Sequence, residues 1–158
     1  MPVTLHHVDQ SRWEQDAQAR RDLLRIYLDA PAERIALPSA EPFITQHLHA
    51  GRGFACALFN ARLLGAVAVD QAGDGTWWLS DLCVRKTTRR RGVGTRLMTL
   101  VAEQAKAEGR DLRVATASLS LADQMLLARL GYRAENDGSV VLAARPASQK
   151  APQKRDLP

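Results

Sequence analysis

The residues best suited to chemistry lie in one run, Arg89-Arg90-Arg91-Gly92-Val93-Gly94. Guanidinium groups make forked, charge-assisted hydrogen bonds to phosphate oxygens. The two glycines let backbone approach an anion with no Cβ in the way. The run stands where an amphipathic pattern begins, so it coincides with a helix start, whose first amides are unpaired and partially positive. Together these features make a cradle for a phosphorylated ligand. The plainer alternative is a helix start with solvated arginines; placement between a strand and a strongly amphipathic helix favours the ligand. Two familiar phosphate sites are excluded. There is no Gly-Lys-Ser/Thr, and Leu97 stands where a dinucleotide-binding turn needs a small residue.

Other reactive side chains carry less. Cys56 and Cys83 lie in apparent strands without metal-ligand spacing and read as buried free thiols. His47 and His49 are two apart and do not share a helical face, so no metal site is expected and both read as surface histidines.

The elements that must position the cradle follow from periodicity and punctuation. Val3–Val8 reads as a strand, and Asp9 or Ser11 caps a helix over Trp13–Asp29, stopped by Pro31. A proline-rich loop, Ala30–Pro42, precedes a short helix, Glu41–Ala50. Two apolar strands, Gly53–Phe59 and Leu63–Asp70, flank a three-residue connection, Asn60-Ala61-Arg62. Trp77–Val84 is the next strand, with its two tryptophans on opposite faces. The helix after Gly94 buries Val93, Leu97, Val101 and Ala105 and closes at Gly109. Leu112–Thr116 is a strand, Ser120 caps a helix over Leu121–Leu130, and Tyr132–Glu135 and Ser139–Ala144 complete the sheet. The order βααβββαβαββ describes an α/β fold with a mixed sheet and helices on both faces. One domain spans residues 1–145, and the polar, proline-containing stretch 146–158 reads as a disordered tail.

The chain has 158 residues, 46% hydrophobic and 25% charged, which suits one soluble domain. Its net charge of +5 is concentrated in Arg85–Arg96 and the C-terminal stretch, which favours a small anion over a long polyanion. Aromatic residues are only 5% and form no stacking platform, which argues against nucleic acid. No apolar run spans a bilayer and no signal peptide is apparent, so a cytoplasmic location is expected.

Leu82-Cys83-Val84 followed by Arg89-Arg90-Arg91-Gly92-Val93-Gly94 resembles the acetyl-CoA signature of the GNAT acyltransferase superfamily, Arg/Gln-x-x-Gly-x-Gly/Ala after a strand. The element order is similar to that fold over Val3–Ala144. The resemblance implies a splayed sheet and acetyl-CoA as cofactor. It implies that the helix-start amides through Thr95, with the arginines, hold the CoA pyrophosphate. It also implies that the backbone of Leu82, Cys83 and Val84 meets the pantetheine arm and thioester. Phe59-Asn60-Ala61-Arg62-Leu63-Leu64, with Val84–Gly94, is similar to the PanZ (PanM) group. These GNAT-fold proteins bind acetyl-CoA and assist maturation of pyruvoyl-dependent aspartate decarboxylase. That resemblance implies the decarboxylase precursor as a partner and Asn60 and Arg62 as partner contacts. The chain departs from the group at Leu58, where the group has arginine.

Acetyl transfer to an amine needs a base for the ammonium and an acid for the leaving thiolate. In many GNAT enzymes the acid is a tyrosine four residues before a Gly-Phe pair. Here the pair is Gly131-Tyr132, and the tyrosine's place holds Leu127, which has no proton to give. Ser120 replaces the asparagine earlier on the same segment. Tyr132 is left as a candidate acid, in a place that usually holds a core aromatic, and Asp81 as a candidate base. Asp123 reads as a helix-start carboxylate. Two functions stay open: an acetyl-CoA-dependent regulator of decarboxylase maturation, which is favoured, and an N-acetyltransferase acting on a small-molecule or protein amine.

Overall fold

The computed structural model describes residues 2–30, 39–89, 91–117 and 119–144. The tail over 146–158, the helix stop at Pro31 and most of the Ala30–Pro42 loop lie outside the described residues.

The chain opens with β1 (Thr4–Val8), α1 (Gln10–Gln15) and α2 (Ala17–Leu28). Where periodicity predicts one helix, two form, because Asp16 competes as a cap. Its backbone is extended (φ −113°, ψ 97°) and its carboxylate accepts the Ala19 N–H at 3.0 Å. Asp9, rather than Ser11, caps α1 by accepting the Arg12 N–H at 2.8 Å. Next come α3 (Ala40–His49), β2 (Gly53–Phe59) and β3 (Arg62–Gln71). The β2–β3 connection is two residues, not three. Asn60 and Ala61 both take positive φ (50° and 62°), and Arg62 already pairs with Phe59. This is the twist a tight hairpin prefers, reached without glycine.

β4 (Trp77–Val84) leads through a short 3₁₀ turn, Lys86–Thr88, to α4 (Val93–Ala107). Then follow β5 (Leu112–Ala115), α5 (Leu121–Arg129), β6 (Arg133–Ala134) and β7 (Ser139–Leu142). Ser120 caps α5, accepting the Asp123 N–H at 3.1 Å.

Among the described residues, seven strands join one sheet in the order β1-β2-β3-β4-β5-β7-β6. Among these strands β4 and β5 are the parallel neighbours, joined by the crossover through α4. Their pairing runs through Trp77, Trp78 and Leu79 and then stops. From Ser80 onward β4 diverges from β5, and the sheet is splayed. Two cores fill the two faces. Val93, Leu97, Met98 and Val101 of α4, with Leu127 of α5, pack on one. Leu23, Ile26 and Tyr27 of α2, with Ile44 and Leu48 of α3, pack on the other. Both cysteines are buried. Among the described residues no helix is long and apolar enough to cross a membrane.

Candidate functional site

The site is built where β4 leaves β5. Ala68 pairs with Ser80 and Ala66 with Cys83, so Asp81 and Leu82 together oppose the single residue Val67. This is a β-bulge, and it re-aims the strand. Asp81 takes φ 54°. Aspartate tolerates this region better than most side chains, but it remains strained. The Tyr27 hydroxyl holds the strained peptide by donating to the Asp81 carbonyl at 2.8 Å.

Beyond the bulge, the end of β4, the loop and the start of α4 enclose a cleft of about 390 Å³. Leu82, Cys83, Val84, Arg89, Gly92, Val93, Gly94 and Thr95 line it. Arg91 is exposed beside it, and Arg90 lies outside the described residues. Gly92 has φ 78° and precedes the first helical residue. A Cβ there would meet nothing within 4 Å, so this glycine serves its backbone conformation rather than crowding. The helical ladder opens with the Arg96 N–H donating to the Gly92 carbonyl at 2.9 Å. The amides of Val93, Gly94 and Thr95 therefore precede the first helical bond and face the cleft end of α4. Cys83 takes part through its backbone: its thiol is on the opposite face of the sheet, 3.2 Å from the Ile26 carbonyl.

The cleft continues into the splay as a narrow pocket of about 50 Å³. Leu82, Asp123 and Leu126 belong to both. Val67, Leu79, Met98, Val114 and Leu127 make the inner part apolar, and Ser80 and Asp81 bring polar groups to its β4 side. A polar mouth leading to a slim apolar channel suits a phosphorylated head on a long thin arm. A larger groove of about 690 Å³, on the far side of α4 against β7, contains none of the signature residues.

Residues 3–132 match the acetyltransferase (GNAT) domain of the PanZ type. The chain belongs to this family. No curated protein matches it. Among solved structures it is similar to a GNAT-family acetyltransferase from Staphylococcus aureus Mu50, at 15% identity and TM-score 0.64, covering 90% of this chain and 99% of that one. It is also similar to the ribosomal-protein-S18-alanine N-acetyltransferase from Escherichia coli, at 15% identity and TM-score 0.64, covering 94% and 98%. A third likeness is to a GNAT-family acetyltransferase from Elizabethkingia anophelis with acetyl-CoA bound, at 20% identity and TM-score 0.61, covering 85% and 78%. At these identities the likeness is one of fold.

Within this GNAT domain the candidate catalytic groups are dispersed. Tyr132 is 6% exposed in the α4 core. Its hydroxyl is buried without a hydrogen-bond partner among the described residues, and burial pushes its pKa well up. It does not line the cleft or the inner pocket, whereas Leu127 does line the latter. Asp81 is half-buried; loss of solvation raises its pKa, against smaller opposing effects from the Ser80 side chain and His47. His47 differs from the surface histidine expected. It is half-buried, packs against Phe43 and Phe54, and donates from Nε2 to the Gly53 carbonyl at 2.7 Å. Burial lowers its pKa, so the neutral ring is favoured. His49 is exposed. Among the described residues no group of three or more His, Cys, Asp or Glu is arranged to hold a metal.

The hairpin of the PanZ-type domain is anchored from behind. Asp22 of α2 is 1% exposed and accepts from Arg62 Nη2 at 2.8 Å, Arg62 Nε at 3.0 Å and the Leu63 N–H at 3.0 Å. Gln18 adds a fourth bond at 2.9 Å. Arg62 is thus tied to α2, while Asn60 stands exposed at the tip. Sequence reasoning missed Asp22, Tyr27 and Leu126. The first two act from 40 to 54 residues away, and only the fold brings them near.

Proposed function

We propose that this protein binds acetyl-CoA in the cleft and serves as an acetyl-CoA-dependent regulator of aspartate decarboxylase maturation. The cradle residues fit the ligand. The amides of Val93, Gly94 and Thr95 would hold the pyrophosphate, with Arg89 and Arg91 adding charge. The apolar splay would take the pantetheine arm alongside the end of β4. The observation that carries the regulatory reading is Leu127, an apolar side chain on the wall of the inner pocket. It holds the place of the proton donor and cannot assist a leaving thiolate. The hairpin, held by the Asp22–Arg62 pair, would present Asn60 to the decarboxylase precursor.

Calorimetry with acetyl-CoA, followed by co-purification with the decarboxylase precursor with and without acetyl-CoA, tests this reading. Saturable binding and an acetyl-CoA-dependent complex are expected. No complex in either condition refutes the partner assignment.

A second reading, N-acetyltransferase, is favoured by Asp81. A half-buried carboxyl with a raised pKa at the strained bulge has the properties of a general base for an ammonium. Release of CoA thiol across a panel of amines decides between the two. Fast, amine-dependent release that disappears in Asp81→Asn establishes the enzyme reading.

A further inference from the structure

Asp29, the residue that closes α2, makes three contacts to the loop between β4 and α4. Its Oδ2 accepts the Lys86 N–H at 2.9 Å. The same oxygen lies 3.5 Å from Arg85 Nε, and the two side chains are 20% and 19% exposed. Its backbone carbonyl accepts from the Arg89 guanidinium, which also donates to the Val84 carbonyl at 3.4 Å. Around this point the loop closes on itself. The Arg85 N–H donates to the Leu64 carbonyl at 2.8 Å, and the Thr88 N–H and hydroxyl both donate to the Arg85 carbonyl, at 2.9 and 3.0 Å.

We propose that Asp29 is a positioning residue for phosphate binding: it holds the 85–89 loop in the shape that presents the cradle at the start of α4. The inference rests on the acetyl-CoA reading above. It runs against simple charge counting. A carboxylate beside a phosphate site repels the ligand, so Coulomb's law alone predicts tighter binding once it is removed. The contacts predict the reverse. Without Asp29, the Lys86 amide loses its acceptor and Arg85 its counter-charge, and the loop carrying Arg89 gains freedom that binding must remove. Arg85 is thereby distinguished from Arg89: its partner is a carboxylate away from the cleft lining, whereas Arg89 lines the cleft and is held by the Asp29 and Val84 carbonyls.

The test uses the full chain with Asp29→Ala and Asp29→Asn. Acetyl-CoA affinity is measured by calorimetry, and exchange of the Lys86 amide by NMR without ligand. Asp29→Ala is expected to weaken acetyl-CoA about tenfold, the size of one lost charge-assisted bond. Exchange at Lys86 is expected to quicken while amides of β2 and β3 keep their protection. Asp29→Asn keeps an acceptor for Lys86 and is expected to fall between, which also covers the case in which the alanine variant does not fold. Equal or tighter binding in both variants, with the unaltered chain binding well, overturns the positioning role alone. Absence of binding by the unaltered chain overturns the acetyl-CoA reading and this inference with it.

Discussion

Replacing Asp22 by alanine tests how the hairpin is held. Asp22 is 1% exposed and stands behind the β2–β3 turn. Its loss leaves the buried Leu63 N–H without its acceptor at 3.0 Å. An unsatisfied buried donor costs about 1–3 kcal/mol, and the lost Gln18 bond adds roughly 1 kcal/mol. The ion pair with Arg62 is discounted, because the arginine side chain is 53% exposed and solvent screens it. The expected loss is therefore about 2–4 kcal/mol, read from urea unfolding at neutral pH. Asp22→Asn keeps an acceptor for Leu63 and should lose about half as much.

The pH dependence supplies an independent check. Burial acts to raise the Asp22 pKa, but bonds from Arg62, Leu63 and Gln18 outweigh it, and the net value lies below the ordinary carboxylate range. A folded value below the unfolded one stabilises the protein fully above the unfolded pKa, about 3.9. That stabilisation is lost as pH falls through the folded value. The gap between the unaltered chain and Asp22→Ala should thus be widest near neutrality and narrow below about pH 4. A difference under about 0.5 kcal/mol at neutral pH, or a gap that widens in acid, refutes the clamp.

Three further outcomes are expected. Gly92→Ala meets open space but must hold φ 78°, so it should cost about 1–2 kcal/mol in thermal unfolding and weaken acetyl-CoA as the α4 amides turn. Tyr27→Phe removes the donor to the Asp81 carbonyl at 2.8 Å and should speed amide exchange around the bulge more than elsewhere. Asp81→Asn removes a carboxyl whose pKa burial raises. Such a group destabilises the fold as pH rises from its unfolded toward its folded value, so the variant should unfold at a higher temperature than the unaltered chain at neutral pH and not in acid.

The local signals in the chain carried most of the architecture. The Val93–Leu97–Val101–Ala105 stripe is buried, Ser120 and Gly131 bound α5 as their types require, and β4 is followed by the glycine-led start of α4. The misses share a physical cause: a polar or small side chain did something periodicity does not encode. Asp16 is polar within a helical pattern, and only its carboxylate reaching the Ala19 N–H divides the helix. Asn60-Ala61 lacks the glycine that marks a two-residue hairpin, yet both residues take positive φ. Asp81 carries no mark of its bulge, because the register that strains it is set jointly by β3 and β4. The proposed cradle can be read from the sequence because its amides and charges are adjacent in the chain. Its supports cannot be, because they come from α2.

That dependence on α2 has a geometric basis. Asp22, Ile26 and Asp29 stand at i, i+4 and i+7, so they share one helical face. Together they span about 10 Å of helix axis. Asp22 holds the hairpin, Ile26 accepts the Cys83 thiol, and Asp29 holds the 85–89 loop. Tyr27, beside them, holds the bulge. A core helix needs only apolar residues on its buried face, and a buried aspartate such as Asp22 is costly there unless it is fully bonded. Asp22 and Asp29 both accept backbone amides, those of Leu63 and Lys86. The stripe therefore works as a ruler between the proposed partner surface and the proposed acetyl-CoA site, and a change in the tilt of α2 must displace both together.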